Sequence, residues 1–227
     1  MRHIQLKVML AIFCVMGVEM VQAQEYTVPS SGAGPAVLLL SGISGVGMYR
    51  DFAREVAALG YTAILVDGKE VPNQNGVGSA NLQRLVAESQ ADARVKKGKV
   101  AVVGFSLGGG GALLHAASLN ETVSAVVAYY PGITRMPNIS DAGRRLTVPT
   151  LVLAGEIDRF NNCCLIESVR EFQSAAQLTA AKLLEVVAYP SANHGFNLTS
   201  APTYRAADAV DAWARTRAFL QKNLPLE

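Results

Sequence analysis

The stretch Val100-Ala-Val-Val-Gly-Phe-Ser-Leu-Gly-Gly109 decides the fold. An apolar run leads into Gly104-Phe-Ser106-Leu-Gly108, and a segment of helical character follows. A strand, a sharp turn carrying serine and a helix in this order predict a nucleophile elbow, in which the turn holds the serine in a strained backbone conformation. Side chains two residues on either side of the serine would collide, so glycine at positions 104 and 108 suits this geometry. Ser106 is therefore the candidate nucleophile.

The histidines decide which residue can act as the base, because a serine hydroxyl is a poor nucleophile without a base within hydrogen-bond reach. The chain has three histidines. His3 lies in a stretch with the character of a targeting segment, and His115 lies more than two turns along the predicted helix after Ser106. His194 follows the apolar run 184–189 and a short loop, where the base of such a site is expected. We predict that His194 is the base and that His115 packs within the helix layer.

The acid is expected between the nucleophile and the histidine in the chain, after another strand. The apolar run 150–154 predicts that strand, and Glu156 and Asp158 follow it directly. We predict that Asp158 fixes the tautomer of the His194 ring and stabilises the imidazolium that forms during proton transfer. Glu156 is the alternative acid. Asp67 precedes the serine and therefore has the wrong order.

An oxyanion needs hydrogen-bond donors, and two backbone N–H groups are the candidates. One belongs to Leu107, the residue after the nucleophile, and the other to the loop Ser41-Gly-Ile-Ser-Gly-Val-Gly47 after the predicted strand 37–40. By position, Ile43 is the donor in that loop. A phosphate-binding loop is the alternative, but the loop lacks the lysine of a P-loop and the spacing of a dinucleotide fingerprint.

Short apolar runs alternate along the chain with segments of helical character. The predicted strands are 37–40, 62–66, 100–103, 125–129, 150–154 and 184–189. The predicted helices are 49–59, 79–95, 106–119, 164–177 and 204–223. Strands without polar alternation are buried on both faces, so the sequence predicts an α/β fold with a mainly parallel, doubly wound sheet and a site at the carboxyl ends of its strands. The irregular stretches 68–78 and 132–148 are too short for a large lid domain.

Three segments carry a resemblance to a known family. They are Gly104-Phe-Ser-Leu-Gly-Gly109, the strand followed by Gly155-Glu-Ile-Asp158, and Tyr189-Pro-Ser-Ala-Asn-His-Gly-Phe196. Together they resemble the dienelactone hydrolase family of α/β-hydrolases, from about Pro35 to the last predicted helix. The resemblance implies the α/β-hydrolase fold, with the nucleophile at Ser106, the acid at Asp158 and the base at His194.

The chain also departs from the pattern of that family. The enzymes that give the family its name use a cysteine nucleophile and restrain it with a glutamate in the oxyanion loop, whereas this chain has Ser106, and Ser41-Gly-Ile43 contains no carboxylate. Those enzymes hold the carboxylate of their substrate with arginine, one shortly after the catalytic histidine, where this chain reads Phe196-Asn-Leu-Thr199. These departures indicate an esterase-like or lactonase-like serine hydrolase rather than an enzyme for dienelactone itself.

We therefore expect an acyl-enzyme on Ser106, formed from a small ester or lactone and hydrolysed by water that His194 activates. A peptidase or an acyltransferase of the same fold is the first alternative, since it keeps the triad and changes only the leaving group or the acceptor. A binding protein on a hydrolase scaffold is the second, and loss of a triad residue would favour it. Four aromatic residues are candidates to line the site, although core packing is the commoner role for each: Phe105, Tyr129, Tyr130 and Phe196.

The first residues have the character of a signal peptide. Arg2 and Lys7 precede an apolar stretch, and Val21-Gln-Ala23 offers small residues where a signal peptidase reads them. We predict that residues 1–23 are a cleaved signal peptide, that 24–227 form a single hydrolase domain, and that this domain is periplasmic or secreted. The apolar stretch is shorter than the roughly 20 residues that span a bilayer. Stable membrane association after cleavage is not expected, and an uncleaved anchor is the alternative.

Composition and net charge limit the kinds of molecule that the protein is expected to bind. Half of the 227 residues are apolar, which suits one domain with a substantial core. The formal net charge is +2, and it falls to +1 when residues 1–23 are removed. A near-neutral chain predicts a small-molecule substrate and no nucleic acid partner. The basic residues between 94 and 99 are predicted to close the second helix, where cations complement the helix dipole.

Cys163 and Cys164 are the cysteines outside the predicted signal peptide. An oxidising compartment favours a disulfide between them, but adjacent Cα atoms are only about 3.8 Å apart across a trans peptide, so such a bridge would be strained and reducible. Free or buried thiols are the alternative. Two histidines and two adjacent cysteines supply no usual zinc spacing. The sequence therefore predicts neither a metal site nor a cofactor.

Overall fold

The computed structural model describes residues 24–74 and 76–226, and within them strands and helices alternate along the chain. The strands are β1 (Glu25–Thr27), β2 (Ala36–Leu40), β3 (Thr62–Val66), β4 (Val100–Phe105), β5 (Val123–Tyr129), β6 (Thr150–Gly155) and β7 (Leu184–Tyr189). The α-helices are α1 (Arg50–Ala58), α2 (Val77–Ala91), α3 (Leu107–Gly111), α4 (Ile139–Arg144), α5 (Ile166–Gln177) and α6 (Ala206–Asn223). The predicted signal peptide, 1–23, lies outside the described residues.

The strands form one sheet in the order β1-β3-β2-β4-β5-β6-β7. Every neighbouring pair is parallel except β1 and β3, which are antiparallel. Strand β4 lies in the middle of the sheet, between β2 and β5. The arrangement confirms the predicted α/β fold with a mainly parallel, doubly wound sheet.

The strands other than the short β1 are mainly apolar because both faces of the sheet are covered. In β2, Leu38 and Leu40 join the hydrophobic core on one face, whereas Val37 and Leu39 join the core on the other. All four side chains are fully buried. Successive side chains of a strand point to opposite faces, so a strand buried on both faces has no polar alternation.

The turn between β4 and α3 requires glycine because three backbone segments pass close together. A Cβ atom placed on Gly104 would overlap the carbonyl oxygen of Gly108. One placed on Gly108 would overlap the carbonyl oxygen of Leu40, at the end of β2. Atoms of the backbone cannot move aside as a flexible side chain can, so these two glycines allow α3 to start directly against the sheet.

The helix after this turn is shorter than the predicted 106–119. Helix α3 ends at Gly111, and a π-helical turn, Ala112–Ala116, continues it. Glycine has low helix propensity, and the four consecutive glycines of α3 weaken the regular α-helical hydrogen bonding that the prediction assumed.

The other four predicted helices also have different bounds from those predicted, and the differences in α2 and α5 have a visible cause. Helix α2 ends at Ala91 rather than at residue 95, because Asp92 has an extended backbone and its side chain accepts a hydrogen bond from the Arg94 N–H at 2.9 Å. The basic residues 94–99 therefore follow the helix instead of closing it. Helix α5 begins at Ile166 rather than at residue 164, because the two cysteines lie in the preceding loop.

Two elements were not predicted from the sequence. Strand β1 has only three residues, too few for a recognisable pattern. Helix α4 lies within the stretch 132–148, which was predicted to be irregular, and the Asn138 side chain caps it by accepting a hydrogen bond from the Asp141 N–H at 2.8 Å. Helix α4 packs against α5 rather than forming a lid. In the part of the chain that the structure describes, no helix combines the length and apolar character needed to cross a membrane.

We predict that Gly108→Ala lowers the free energy of unfolding by about 1 to 3 kcal/mol, because the added methyl group overlaps the end of β2. Urea denaturation followed by circular dichroism measures this change. Gly47→Ala is the matched control, since its nearest neighbour would be the Arg50 guanidinium at 3.9 Å, and we expect it to stay within about 0.5 kcal/mol of the wild type. Equal stability of the two variants would contradict the close approach at Gly108.

Candidate active site

Ser106 occupies a strained position at the end of β4, as the elbow pattern predicts. Its backbone angles are φ 52° and ψ −114°, in a region that residues other than glycine rarely adopt. Its N–H donates to the Tyr129 carbonyl at 3.0 Å, and its carbonyl accepts from the N–H groups of Gly110 at 2.9 Å and Gly132 at 2.7 Å. These three hydrogen bonds hold the serine in its strained conformation.

Asp158 and His194 form a hydrogen-bonded pair. Asp158 is fully buried, and its Oδ2 lies 2.8 Å from Nδ1 of His194, whose side chain is 15% exposed. An ionised carboxylate can only accept, so Nδ1 carries the proton and Nε2 has the free lone pair. Glu156, the alternative acid, instead forms an ion pair with Arg170 at 3.0 Å. The structure therefore brings Asp158, and not Glu156, to the imidazole.

The three predicted triad residues lie at one edge of the sheet. Ser106 follows β4, Asp158 follows β6 and His194 follows β7, and these strands are parallel. Among the hydrogen bonds of the described residues, none joins the Ser106 hydroxyl to the His194 ring. Such bonds are often long in a free enzyme and shorten when substrate binds.

Phe160 contacts both members of the pair and was not singled out from the sequence. Its ring stacks on the His194 imidazole with centroids 4.4 Å apart and an angle of 9° between the planes. Its backbone N–H donates to Oδ1 of Asp158 at 3.0 Å. Asn161 and Asn162, which follow it, both have left-handed backbone angles. The sequence offers only a weak signal for this loop, the Asn-Asn dipeptide, because asparagine tolerates that conformation.

One of the four aromatic residues proposed to line the site does so. Tyr130 lines the larger of the two cavities described below, and its ring makes an edge contact with the His194 ring at 4.7 Å. The other three are fully buried in the core: Phe105, Tyr129 and Phe196. Burial raises the pKa of the phenols of both Tyr49 and Tyr130, so these hydroxyls stay protonated at neutral pH.

Two cavities meet at the Phe160 ring. The larger has a volume of about 490 Å³ and the smaller of about 150 Å³. The larger is mainly apolar away from the histidine, where its lining includes Met48, Leu198, Ala201 and Pro202. The smaller is more polar, and its lining includes Asn73, Gln74, Arg135 and Asn161. The site can therefore hold a small molecule that has one apolar and one polar end.

The two proposed oxyanion donors line the smaller cavity. Leu107 is the first residue of α3, so its N–H has no acceptor within the helix. Ile43 lies in the loop after β2 and is 58% exposed. The residue before it has little space for a side chain, because a Cβ on Gly42 would lie 2.7 Å from the Tyr49 hydroxyl and 3.4 Å from Cβ of Ser106. The loop thus passes directly beside the serine.

The structure also shows the environment of His115 and the bonding state of the two cysteines. His115 is buried, its Nε2 lies 2.9 Å from the Pro72 carbonyl oxygen, and burial lowers its pKa. These contacts confirm the prediction that it packs within the helix layer. Cys163 and Cys164 are joined by a disulfide, the first of the two states that the sequence left open.

Comparison with known proteins identifies close similarity to one family. A sequence model of the dienelactone hydrolase family matches residues 68–224. A protein of Escherichia coli O157:H7, provisionally named a carboxymethylenebutenolidase, is 32% identical over 211 residues, which are 82% of this chain and 76% of that protein. A protein of Methylorubrum extorquens with the same provisional name is 30% identical over 220 residues, which are 84% of this chain and 73% of that protein.

Solved structures share the architecture. The crystal structure of a protein of Klebsiella pneumoniae, provisionally called a dienelactone hydrolase, has a TM-score of 0.74 and 25% sequence identity, and the match covers 88% of this chain and 92% of that one. Est1E of Butyrivibrio proteoclasticus has a TM-score of 0.67 at 14% identity, covering 88% of this chain and 93% of that one, and is a likeness of fold alone.

Proposed function

The chain belongs to the dienelactone hydrolase family of α/β-hydrolases, and on that premise we propose that it is a serine hydrolase that cleaves small carboxylic esters or lactones. The observation that carries the proposal is the buried Asp158–His194 pair, at the same sheet edge as the strained elbow of Ser106. A buried carboxylate bonded to an imidazole, at the sheet edge that also carries a serine on a strained elbow, suits nucleophilic acyl transfer.

The proposed reaction begins with proton transfer from the Ser106 hydroxyl to Nε2 of His194 while the serine oxygen attacks the carbonyl carbon. The backbone N–H groups of Leu107 and Ile43 stabilise the resulting oxyanion, and Asp158 stabilises the imidazolium. The imidazolium then protonates the leaving alkoxide, giving the acyl-enzyme. Water, deprotonated by Nε2, hydrolyses the acyl-enzyme and returns the serine. In a lactone, the leaving alkoxide and the acyl group belong to the same molecule.

The cavities support a substrate of modest size. The apolar volume beside His194 suits the leaving group, because the imidazolium must reach the departing oxygen, and the smaller cavity beside Leu107 and Ile43 suits the carbonyl end. The names of the relatives point to lactones. Arg159 lines the larger cavity, but its guanidinium pairs with Glu167 at 3.1 Å. Simple esters and lactones therefore fit the larger cavity better than a substrate whose carboxylate would have to bind Arg159.

A peptidase or acyltransferase with the same triad is the first alternative. Relative kcat/KM values for short-chain esters, lactones and peptides, with and without an added alcohol as acceptor, separate these activities. A binding protein is the second alternative. It predicts no turnover of any of these compounds.

We further propose that the protein is exported and that residues 1–23 are removed. The basic start, the apolar stretch and Ala23 support a signal peptide. The disulfide between Cys163 and Cys164 is of the kind that persists in an oxidising compartment such as the periplasm or the cell exterior.

We predict that Ser106→Ala lowers kcat/KM for p-nitrophenyl acetate by at least about 10³-fold, because it removes the nucleophile. The same variant should lose labelling by a fluorophosphonate probe, with the labelled peptide identified by mass spectrometry. Ser31→Ala is the matched control, since Ser31 is an exposed turn residue that bonds the Ala33 carbonyl. Full activity of Ser106→Ala would require another nucleophile.

Asp158→Asn is expected to lower kcat by about 10³- to 10⁴-fold, because the amide stabilises the wrong imidazole tautomer. Glu156→Gln removes a carboxylate from the same loop and should stay within about twofold of the wild type, since Glu156 pairs with exposed Arg170. Steady-state ester hydrolysis of both variants measures the difference. A larger loss in Glu156→Gln than in Asp158→Asn would reassign the acid.

Expression of the full chain in a Gram-negative bacterium tests export. The protein recovered from the periplasm or medium should have the intact mass of a chain that begins at Gln24, whereas Ala23→Leu should block cleavage because the peptidase requires a small residue there. Recovery of the uncleaved wild-type chain from the cytoplasm or the membrane fraction would overturn the proposal.

A further inference from the structure

The proposed mechanism uses His194 but not the two cysteines that lie beside it. Cys163 and Cys164 lie in the loop between β6 and α5, and their Sγ atoms and a ring nitrogen of His194 lie within 4.8 Å of one another. The cysteines precede the histidine by about 30 residues, so only the fold brings these ligands together. In 24–74 and 76–226, no other group of three cysteine, histidine or carboxylate ligands meets this spacing.

One of the two cysteines lies at the edge of the substrate space. Cys163 is half-buried and lines the smaller cavity together with Leu107 and Gly132. Cys164 is buried behind it, with 1% exposure. An ion that enters the smaller cavity therefore reaches Cys163 without any opening of the core.

The backbone of the loop is held independently of the sulfur atoms. The Thr134 N–H donates to the Cys163 carbonyl at 3.0 Å, and the Thr134 hydroxyl accepts from the Leu165 N–H at 3.3 Å. The first hydrogen bond holds the peptide group between the two cysteines, and the second holds the residue that follows them. We expect the loop to keep its course when the disulfide is reduced.

We propose that the reduced Cys163–Cys164 pair and His194 form a binding site for one thiophilic divalent ion, such as Cd²⁺ or Zn²⁺. A dithiol supplies the reduction: it gives two electrons and two protons, the S–S bond breaks, two cysteine thiols form, and the dithiol becomes a cyclic disulfide. Ion binding then displaces the two thiol protons. Two thiolates and a neutral imidazole are a donor set that such ions prefer.

The Asp158–His194 pair suits metal binding as well as proton transfer. Nδ1 of His194 bonds Asp158 at 2.8 Å, which leaves Nε2 as the nitrogen with a free lone pair. Histidine ligands of metals usually have such a carboxylate on the other nitrogen, which fixes the ring orientation. An ion on Nε2 prevents this nitrogen from accepting the Ser106 proton. Inhibition by the ion rests on the proposed function, whereas ion binding does not.

The disulfide makes the site conditional on redox state. Disulfide sulfur atoms lack the thiolate charge that binds such ions. The oxidised protein is therefore insensitive to the ion, and the reduced protein is sensitive to it.

Cadmium titration of the purified protein tests the proposal. In the chain 24–227, which lacks Cys14, thiol titration should find no free thiols before treatment with dithiothreitol and two afterwards. Once the dithiothreitol is removed under anaerobic conditions, the reduced protein should bind one Cd²⁺ with ultraviolet thiolate-to-metal charge-transfer absorption. Ester hydrolysis should fall at least about tenfold at a saturating ion concentration and recover with a chelator. The oxidised protein should show neither effect.

Three variants identify the ligands. Cys163→Ser and Cys164→Ser should each remove the absorption that arises from two thiolates bound to the ion. The ester hydrolysis of each variant with Cd²⁺ is compared with that of the same variant without the ion. His194→Gln should keep both thiols but bind Cd²⁺ at least about 10-fold more weakly, a change read from the absorption alone because this variant is expected to be inactive. His115→Gln is the matched control, since His115 lies outside the cluster.

Each of the following results would overturn part of the proposal. Equal Cd²⁺ binding by oxidised and reduced protein, or free thiols at Cys163 and Cys164 in the protein as isolated, would exclude the redox condition. Unchanged affinity in His194→Gln would exclude the histidine as a ligand. Tight binding that depends on His194 but leaves ester hydrolysis intact would preserve the site and contradict the role of His194 as the base, which separates the failure of this proposal from that of the proposed function.

Discussion

The structure depends on the close approach of three backbone segments at the carboxyl end of β4. Gly104 and Gly108 allow α3 to start directly against the sheet, beside the end of β2. The close approach forces Ser106 into its left-handed conformation. In this conformation its backbone forms hydrogen bonds with Tyr129, Gly110 and Gly132, which join β4 to β5 and to the segment after β5. The strain at one residue is thus balanced by contacts from two neighbouring elements.

The sequence predicts those parts of the fold and site that depend on local pattern and chain order. Six parallel strands were recognisable because each is a short, mainly apolar run, and Ser106, Asp158 and His194 because each follows such a run in a fixed order. Short elements such as β1 carry too few residues for a pattern. Phe160 and the cysteines could not be placed beside His194 because their proximity depends on how the loop after β6 folds over the end of β7.

Burial distinguishes two carboxylates that are only two positions apart in the chain. Glu156 faces solvent and pairs with an arginine of α5, an interaction of little energetic weight at an exposed site. Asp158 is fully buried, and its two oxygens accept hydrogen bonds from the His194 ring and the Phe160 backbone. A buried carboxylate with both oxygens satisfied holds one geometry, which is what orientation of an imidazole requires. Of the two carboxylates in the loop after β6, Glu156 is thus a surface charge, whereas Asp158 is a buried charge that orients the His194 ring.

The antiparallel strand β1 also has a bearing on solubility. Pairing of Glu25–Thr27 with β3 covers what would otherwise be an open edge of a parallel sheet, where unpaired N–H and C=O groups are available to another chain. Arg50 of α1 bonds the Glu25 carboxylate at 2.7 Å and so ties this strand to the body of the protein. Since β1 is itself the edge strand and has only three residues, this side of the sheet offers little backbone for pairing with another chain.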